Sequence, residues 1–249
     1  MKNVFKTVVA GAAIIGSLTA VHATDVGVPH YSNSIGKKIN AEVYYELYKR
    51  DVKYDDRFTI EHEESRIIAR LNYHPSPSAS LYVEAGLREP DLSDGYVPLF
   101  GAGMKIKVYD KEALRVNAFA SITYATEDEY KIDGYVDSDY YDVYEEVYKA
   151  SYVEINGGLA ISKFIQLDES TTLTPYGGFM LSQLDGDDKS EYKYHSPEYT
   201  EKNKEKIEGD GMFSLFAGLG LTLDNAWGIR FEGRFINQSS FSAGLMYFF

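Results

Sequence analysis

The main feature of the sequence is a two-residue alternation of apolar and polar side chains that recurs from residue 38 to the C-terminus. The alternation returns in ten segments separated by breaks that contain Gly, Pro or Asp, and no helical period of 3.6 residues holds for long. Because successive side chains of a strand point to opposite faces, each segment predicts one strand. The ten predicted strands are residues 38–48, 66–73, 79–88, 97–109, 114–125, 149–163, 171–183, 211–223, 227–236 and 240–249.

The two faces of these predicted strands differ in charge. One face carries no charged side chain in any of the ten segments, although 25% of the residues are charged. The opposite face carries Lys38, Glu42, Glu46, Arg66, Arg70, Glu84, Arg88, Lys105, Lys107, Arg115, Glu154, Arg230, Glu232 and Arg234. Strands with one apolar and one charged face predict an all-β antiparallel sheet that buries or shields one side.

A soluble barrel with its apolar face inward would alternate in the same way, so strand length has to decide between the alternatives. Segments of about ten residues match the ~9–11 residues that a tilted strand needs to cross a membrane, whereas strands of soluble proteins are commonly about 5–6 residues long. Acids, bases and glycines share the charged face, which suits a crowded polar lumen. We predict an antiparallel up-and-down transmembrane β-barrel of about ten strands, with eight or twelve as alternatives.

The predicted connections alternate in length, as in membrane barrels with short periplasmic turns and longer outer loops. The short ones are residues 74–78, 110–113, 164–170 and 224–226; the longer ones are 49–65, 89–96, 126–148 and 184–210, and a last short one lies near 237–239. An even strand number places both chain ends in the periplasm. Aromatic residues near strand ends predict two interfacial girdles, with Tyr73, Trp227 and Phe249 in one and Tyr124 and Phe235 in the other.

The N-terminus has the features of an export signal: Lys2 and Lys6, an apolar segment over 8–18, and a small-residue cleavage site ending at Ala23. We predict a signal peptide over residues 1–23 and one barrel domain over 24–249. Elsewhere no apolar run approaches the ~18 residues of a membrane helix. The chain has no Cys, which excludes disulfides and thiolate sites, and its net charge of −13 argues against nucleic acid as a partner.

Residues 24–249 resemble the bacterial outer-membrane β-barrel proteins, specifically small barrels of the Ail/Opa/OmpA-like kind. The sharpest motif is the last segment, 240–249, which has an apolar residue at every second position before a terminal Phe. In that family such a strand is the insertion signal read by the barrel-assembly machinery. The resemblance implies this role for Phe241, Ala243, Leu245, Tyr247 and Phe249. It also implies a location in the outer membrane, with its lipid and lipopolysaccharide as partners.

Outer-membrane proteases and lipid A hydrolases use this architecture, so catalysis has to be considered. The sequence offers one candidate position. His62 and Glu64 lie on the predicted lumen side, with Arg66 below them. No nucleophile motif matches, and the acidic pair and Asp-His couple of omptin-like proteases are not found. His195 lies in a polar segment, where a solvated side chain is the simpler interpretation. We therefore expect no enzymatic activity and no cofactor.

The remaining hypotheses about function concern the predicted outer loops and the lumen. Residues 126–148 hold nine acids, Lys131 as their one base, and six tyrosines, while 184–210 mix nine acids with five lysines and predict self-pairing or disorder. Asp133, Asp137 and Asp139 are candidate ligands of a divalent cation, but the spacing is not that of an EF-hand and a solvated acidic loop is simpler.

The function predicted from sequence follows from these loops and from the lumen. Open aqueous channels belong to barrels of about sixteen strands, so side chains are expected to fill a ten-stranded lumen. We predict a monomeric barrel with a structural or surface-interaction role, which binds any extracellular ligand through loops 126–148 and 184–210. A narrow small-solute or ion channel and an outer-membrane hydrolase remain as alternatives.

Overall fold

Twelve antiparallel strands make up almost all of the described chain. The structure is a computed structural model that describes residues 38–54, 58–90, 95–111, 114–132, 143–195, 198–210, 212–224 and 226–249. The predicted signal peptide, residues 1–23, lies outside these ranges. The strands are β1 (Ile39–Tyr54), β2 (Phe58–Ser76), β3 (Ala79–Pro90), β4 (Val97–Lys111), β5 (Leu114–Ile132), β6 (Val143–Lys163), β7 (Ile165–Gln166), β8 (Thr172–His195), β9 (Glu198–Gly209), β10 (Phe213–Leu223), β11 (Trp227–Phe235) and β12 (Gln238–Phe248). Among the described residues, no helix is long and apolar enough to cross a membrane.

Ten of these strands close into a ring. Strands β1 to β6 pair in sequence, β6 pairs with β8, β8 with β10, and β10 with β11 and then β12. The last strand returns to the first, with a register from Asn40 opposite Phe248 to Arg50 opposite Gln238. The predicted ten-stranded antiparallel up-and-down barrel is therefore confirmed, and the ring has neither eight nor twelve strands.

The outside of the ring is apolar between its two ends. The large exposed apolar side chains include Val43, Leu47, Leu71, Val83, Phe100, Ile122, Ile155, Leu181, Leu219, Phe231 and Phe241. The charged side chains of the same strands point into the ring, so the soluble alternative with an inward apolar face is wrong. An outer surface of this composition is stable against hydrocarbon and not against water, so the barrel is transmembrane.

The predicted aromatic girdles lie on this outer surface. Tyr73 and Phe249 are exposed near one end of the barrel, where Trp227 packs against Tyr247 with ring centroids 4.7 Å apart. Tyr124 and Phe235 are exposed nearer the other end. Amphipathic rings favour the two membrane interfaces, so these residues mark the limits of the apolar band.

The two ends of the barrel differ in how far the strands project. At one end, here called the short-turn end, the strands meet in tight turns such as the one at residues 77–78. At the other, the long-hairpin end, several strands run well past the apolar band. We call the projecting parts of four of them the extension: residues 126–132 of β5, 143–151 of β6, 185–195 of β8 and 198–209 of β9.

The prediction that 49–65, 126–148 and 184–210 are loops is therefore wrong over most of their length. Residues 49–54 and 58–65 belong to β1 and β2, and 184–195 and 198–209 form the hairpin of β8 and β9. Outside the membrane the outward face no longer needs to be apolar, so the apolar period ends while strand pairing continues.

Strand β9 narrows the long-hairpin end of the ring. It pairs with β8 from residue 198 to 208, and its last residues, 207–209, also pair with 54–52 of β1. Strands β10, β11 and β12 stop below it, and the turn between β11 and β12 has positive φ at Ile236 (74°) and Asn237 (54°). One strand thus replaces three at this end, which brings β8 and β1 closer together.

Candidate functional site: the closed lumen and the extension

The lumen contains nearly balanced buried charge. Among the described residues, the buried charged side chains are six glutamates, seven arginines and one lysine: Glu42, Glu46, Glu64, Glu84, Glu154, Glu232, Arg50, Arg66, Arg70, Arg88, Arg115, Arg230, Arg234 and Lys105. A buried charge is tolerated only when it is paired and hydrogen-bonded. The lumen is therefore a network in which each charge depends on its neighbours.

The middle of the network alternates in charge across neighbouring strands. Glu42 on β1 lies opposite Arg70 on β2, which lies opposite Glu84 on β3. The Arg70 guanidinium donates to Glu84 at 2.7 Å, lies 3.8 Å from Glu42, and stacks 4.1 Å from the centre of the Tyr82 ring. Arg230 of β11 donates to Glu42 from the other side. Opposite charges in register stabilise the pairing of β1, β2 and β3, and Arg230 connects this row to β11.

Glu64 is the centre of a second group nearer the long-hairpin end. Its carboxylate accepts hydrogen bonds from Arg66, from Arg88 at 3.1 Å and from the Tyr152 hydroxyl at 2.7 Å. The His62 ring nitrogen lies 3.2 Å from the same carboxylate. These partners come from β2, β3 and β6, so one carboxylate joins opposite walls of the barrel.

A chain of ion pairs connects this group to β11. Arg66 donates to Glu46 at 3.2 Å, and Arg234 lies 3.6 Å from the same carboxylate. Arg234 also lies 3.3 Å from Glu232, which accepts a hydrogen bond of 3.1 Å from the Tyr176 hydroxyl of β8. The network thus extends from β3 round to β8.

Arg50 crosses the lumen above these pairs. From β1, its guanidinium donates to Glu154 of β6 at 3.0 Å and to the Ser182 hydroxyl of β8 at 2.7 Å. A side chain at position 209 would collide with the Arg50 guanidinium, so Gly209 leaves it the necessary space. Sequence reasoning missed Arg50 because the first predicted strand ended at residue 48. The signal was present, since residue 50 continues the polar parity of Glu42 and Glu46.

An apolar layer, here called the lid, covers the network at the long-hairpin end. It consists of buried side chains from five strands, with Tyr54 packed against them: Val52, Ala125, Tyr152, Leu184 and Ile207. These strands lie around the ring, so their side chains meet across the mouth of the barrel.

A larger apolar cluster fills the lumen beside the ion pairs. It consists of Phe119, Ala160, Tyr176, Met180, Phe216, Met246 and Phe248. Gly158 and Gly178 provide the room, because a Cβ at either would approach an aromatic ring of this cluster, Phe119 or Phe216, at 2.7 Å. Ion pairs on one side and packed rings on the other thus occupy the lumen at this level.

The remaining predicted lumen charges lie near the short-turn end. Lys105 is buried 5.8 Å from the centre of the Tyr82 ring. Arg115 and Lys107 both donate to Asp110, at 3.3 and 2.6 Å. Lys107 is partly exposed, and Lys38 is exposed at the rim, so its predicted place inside the lumen is wrong. The first strand begins at Ile39, which leaves Lys38 just outside the ring.

The candidate catalytic position is part of the Glu64 group. The His62 side chain is 29% exposed and meets the Tyr152 ring edge-on, with centroids 6.2 Å apart. Within the described part of the chain, no hydroxyl lies within hydrogen-bond distance of His62. Glu64 is already engaged by two arginines. His195 ends β8, and its side chain lies outside the described residues.

The segment 184–210 pairs with itself, as an extended hairpin. Its outward face carries ion pairs between β8 and β9: Lys202 with Glu191 at 2.8 Å, Lys204 with Asp187 at 2.9 Å, and Lys206 with Asp185 at 3.4 Å. The hydrogen bond from Lys202 lowers the pKa of Glu191, and the hydrogen bond to Glu208 raises the pKa of Lys206.

Much of the acidic segment 126–148 lies outside the described residues. Residues 133–142, with the candidate cation ligands Asp133, Asp137 and Asp139, belong to that part. Among the described residues, no group of three His, Asp or Glu side chains is placed to hold a metal ion. Of the six tyrosines, Tyr148 turns to the inside of the extension, where its hydroxyl lies 3.4 Å from that of Tyr192.

The predicted insertion strand is β12, which closes the ring between β11 and β1. Its apolar residues Phe241, Ala243, Leu245 and Tyr247 are on the outer surface, as is Phe249 directly after it, with Phe241 56% and Phe249 62% exposed. They are thus placed where lipid surrounds the folded barrel.

No protein-family model and no curated protein matches the sequence. Among solved structures, the translocator domain of the autotransporter NalP from Neisseria meningitidis is similar with a TM-score of 0.49 and 11% identity, over 88% of this chain and 92% of that one. The outer membrane protease OmpT from Escherichia coli gives 0.45 and 11%, over 94% and 100%. Ail from Yersinia pestis gives 0.33 and 11%, over 86% and 99%. Because these TM-scores are all below 0.5, the assignment of the fold as a barrel rests on the closed ring of strands and on its apolar outer surface.

Proposed function

We propose that the chain is a bacterial outer-membrane β-barrel that acts at the cell surface, as a structural or binding protein, and does not conduct solutes. The observation that carries this proposal is the closed lumen, with a lid of five strands above a network of paired charges. Its short-turn end is periplasmic and its long-hairpin end extracellular, as the connection lengths of membrane barrels require. What projects from the cell is then the extension.

The alternative of a narrow channel fits the lumen less well. A conducting path needs water between the charges, whereas here Arg50 joins three strands and Glu64 joins the walls of β2, β3 and β6. Opening a path would leave several of these charges buried and unpaired, at several kcal/mol each.

The alternative of a hydrolase lacks the parts of a site. His62 would have to activate a hydroxyl or a water beside it, and its acidic neighbour is neutralised by Arg66 and Arg88. We therefore infer that His62 and Glu64 have a structural role, and that substitution of His62 abolishes no peptide or lipid A hydrolysis.

Planar-bilayer recording tests the closed lumen. The mature chain, refolded in detergent and inserted into a bilayer, is expected to give no stepwise conductance. A variant lacking residues 198–209 serves as the opened control, because it removes one side of the lid. Regular conductance steps from the intact chain would contradict the proposal.

Surface binding is tested through the charge of segment 126–148, which holds nine acids and one lysine. Cells that display the chain are expected to retain a cationic protein such as lysozyme at low salt. Substituting Glu127, Glu129, Glu145 and Glu146 by Gln should reduce this retention several-fold, because electrostatic attraction scales with the opposing charge. Equal retention by both cell types would remove the acidic segment as the binding surface.

A further inference from the structure

Part of strand β2 has a neighbouring strand on one side only. Between residues 58 and 63, β2 pairs with residues 54–49 of β1, whereas its pairing with β3 begins at Glu64, opposite Pro90. Within the described ranges no other strand pairs with this part of β2, here called the open edge. Every second residue of such an edge directs its N–H and C=O away from the sheet, so the open edge offers about six backbone groups to a further strand.

Two other projecting strands also have a free edge in the described chain, but they carry lysine there. Over residues 198–206, β9 pairs with β8 alone, and it contains Lys202, Lys204 and Lys206. Over residues 128–132, β5 pairs with β6 alone, and it contains Lys131. Proteins commonly protect an edge strand from a further strand with charged residues, especially Lys, or with Pro. Residues 58–63 contain neither Lys nor Pro, so the open edge is the least protected of the three.

The side chains of the open edge differ between its two faces. On the inward parity, Ile60 is 46% exposed. On the outward parity, Glu61 and Glu63 both form ion pairs with the same lysine, Lys49. A strand added to this edge would therefore meet an apolar side chain on one face and two carboxylates on the other, because cross-strand neighbours share a face.

Acids outnumber lysines on the outward surface around the open edge. Asp51 lies directly opposite Glu61, and Glu89 of β3 is also exposed there. Lys53 is already paired with Asp210, at 2.8 Å. The described acids of this surface are Asp51, Glu61, Glu63, Glu89 and Asp210, and the described lysines are Lys49 and Lys53. The complementary partner is therefore basic.

We propose that the open edge binds an extended basic segment of another protein, which adds to β2 as a further strand. Main-chain hydrogen bonds provide the affinity of such an addition, and alternate side chains provide its specificity. Lys or Arg at every second position faces Glu61 and Glu63, and apolar side chains between them face Ile60. This strand addition deepens the proposed surface-binding role and rests on it, since the partner reaches the open edge only if the long-hairpin end faces outward. It uses none of the acids of segment 126–148.

A synthetic peptide tests the backbone contacts of the added strand. The probe is a fluorescent decapeptide in which Lys alternates with Val or Thr, and fluorescence anisotropy measures its binding to the folded barrel in detergent. Two analogues carry N-methyl groups, one on the Lys residues and the other on the residues between them. Because only one edge of an added strand faces β2, one analogue is expected to bind as the parent peptide does, and the other at least about tenfold more weakly.

Protein variants test the side chains and the location. E61Q/E63Q is expected to weaken binding of the parent peptide about three- to tenfold, because each cross-strand pair of opposite charges contributes to strand pairing. The matched variant E191Q/E208Q removes two ion-paired acids from the outward face of β8 and β9, and is expected to bind as the wild type does. SDS-resistant gel migration verifies that both variants are folded. The peptide is also expected to slow hydrogen exchange of the amides of residues 58–63 and not of those of β9.

Equal binding by the two methylated analogues would overturn the proposal, because the attraction would then be electrostatic alone. Absence of peptide binding, equal weakening by the two double variants, or protection of β9 instead of β2 would overturn it too. Retention of lysozyme by cells depends on segment 126–148 and is a separate assay. Peptide binding without lysozyme retention would support the open edge and remove the acidic segment, and the reverse result would do the opposite.

Discussion

Glu64 accepts hydrogen bonds from Arg66, Arg88 and Tyr152 inside the barrel, and its loss leaves two arginines without their closest carboxylate. We predict that Glu64→Gln lowers the free energy of unfolding by about 3–5 kcal/mol, because breaking a buried pair from one side strands the other charge. Urea titration in detergent, followed by heat-modifiable gel migration, measures this. Glu89→Gln, at an exposed glutamate of the same hairpin, should change stability by less than about 0.5 kcal/mol. Similar values for both variants would refute the role of Glu64.

Ile236 is strained in the turn between β11 and β12. Its φ of 74° is unfavourable for a β-branched residue, whereas two-residue hairpins prefer Asn or Gly at such positions. We predict that Ile236→Asn raises the stability by about 1 kcal/mol. Asn237→Ala should have the opposite sign, since Asn237 tolerates its φ of 54° and donates to the Phe213 carbonyl at 3.0 Å. Thermal unfolding in detergent reports both, and a destabilised Ile236→Asn variant would show that the turn is not strained.

Within the membrane, the face of the sheet on which a residue lies was predictable from the sequence. The residues that it contacts across the lumen were not. Arg66, Arg70 and Glu84 were assigned to the lumen by alternation alone, since lipid excludes charge from the other face. The ion pair between Arg50 and Glu154 depends on the shear of the ring. This stagger of the strands brings together two residues that are 104 positions apart in the sequence. Alternation along one strand contains no information about that distance.

Among the strands, β9 is the one that closes the long-hairpin end of the barrel. Within the described part of the chain, its pairing with β1 covers residues 207–209, and Ile207 is its contribution to the lid. We predict that Ile207→Asp loosens the extension while the barrel remains SDS-resistant, because a charge in the lid costs more than the short pairing with β1 contributes. Limited trypsin digestion should then cut after the lysines of β9 at least several-fold faster.

The control for this prediction is Ile60→Asp on β2. Ile60 lies directly opposite Val52, a residue of the lid, but its own side chain is exposed. It should leave the digestion rate close to that of the wild type. If both variants are cut at the same rate, β9 is not held by the lid. Hydrogen exchange of the β9 amides provides an independent measure of the same opening.

The lengths of the elements were the least predictable part of the fold. Segments 114–125 and 171–183 were identified as strands, yet β5 continues to Ile132 and β8 to His195. In the sequence of their projecting parts, charged residues occur at both odd and even positions, so no apolar period marks them. Their pairing is instead fixed by neighbours, for example Glu191 with Lys202. The sequence property that revealed the barrel thus holds only where lipid acts on the outer face.

At the scale of the whole molecule, the ring is closed by the pairing of the last strand with the first. The register from Asn40–Phe248 to Arg50–Gln238 connects the first and last strands of the described chain. Until β12 is available, β1 and β11 have open edges, which are prone to pair with other chains. We therefore predict that assembly in a cell depends on recognition of the final strand.

Phe249 is the residue on which that recognition can be tested. It is 62% exposed, and its ring meets Tyr247 edge-on at 5.1 Å, so it contributes little to the interior of the barrel. We predict that deleting Phe249 leaves refolding in detergent within about 0.5 kcal/mol of the wild type, but lowers the amount of assembled barrel in the outer membrane of cells several-fold. Phe235→Ala removes an equally exposed aromatic from the opposite girdle and should leave assembly unchanged. If the deletion instead impairs refolding in detergent, or if Phe235→Ala lowers assembly as much, the effect belongs to the aromatic girdles and not to a C-terminal signal.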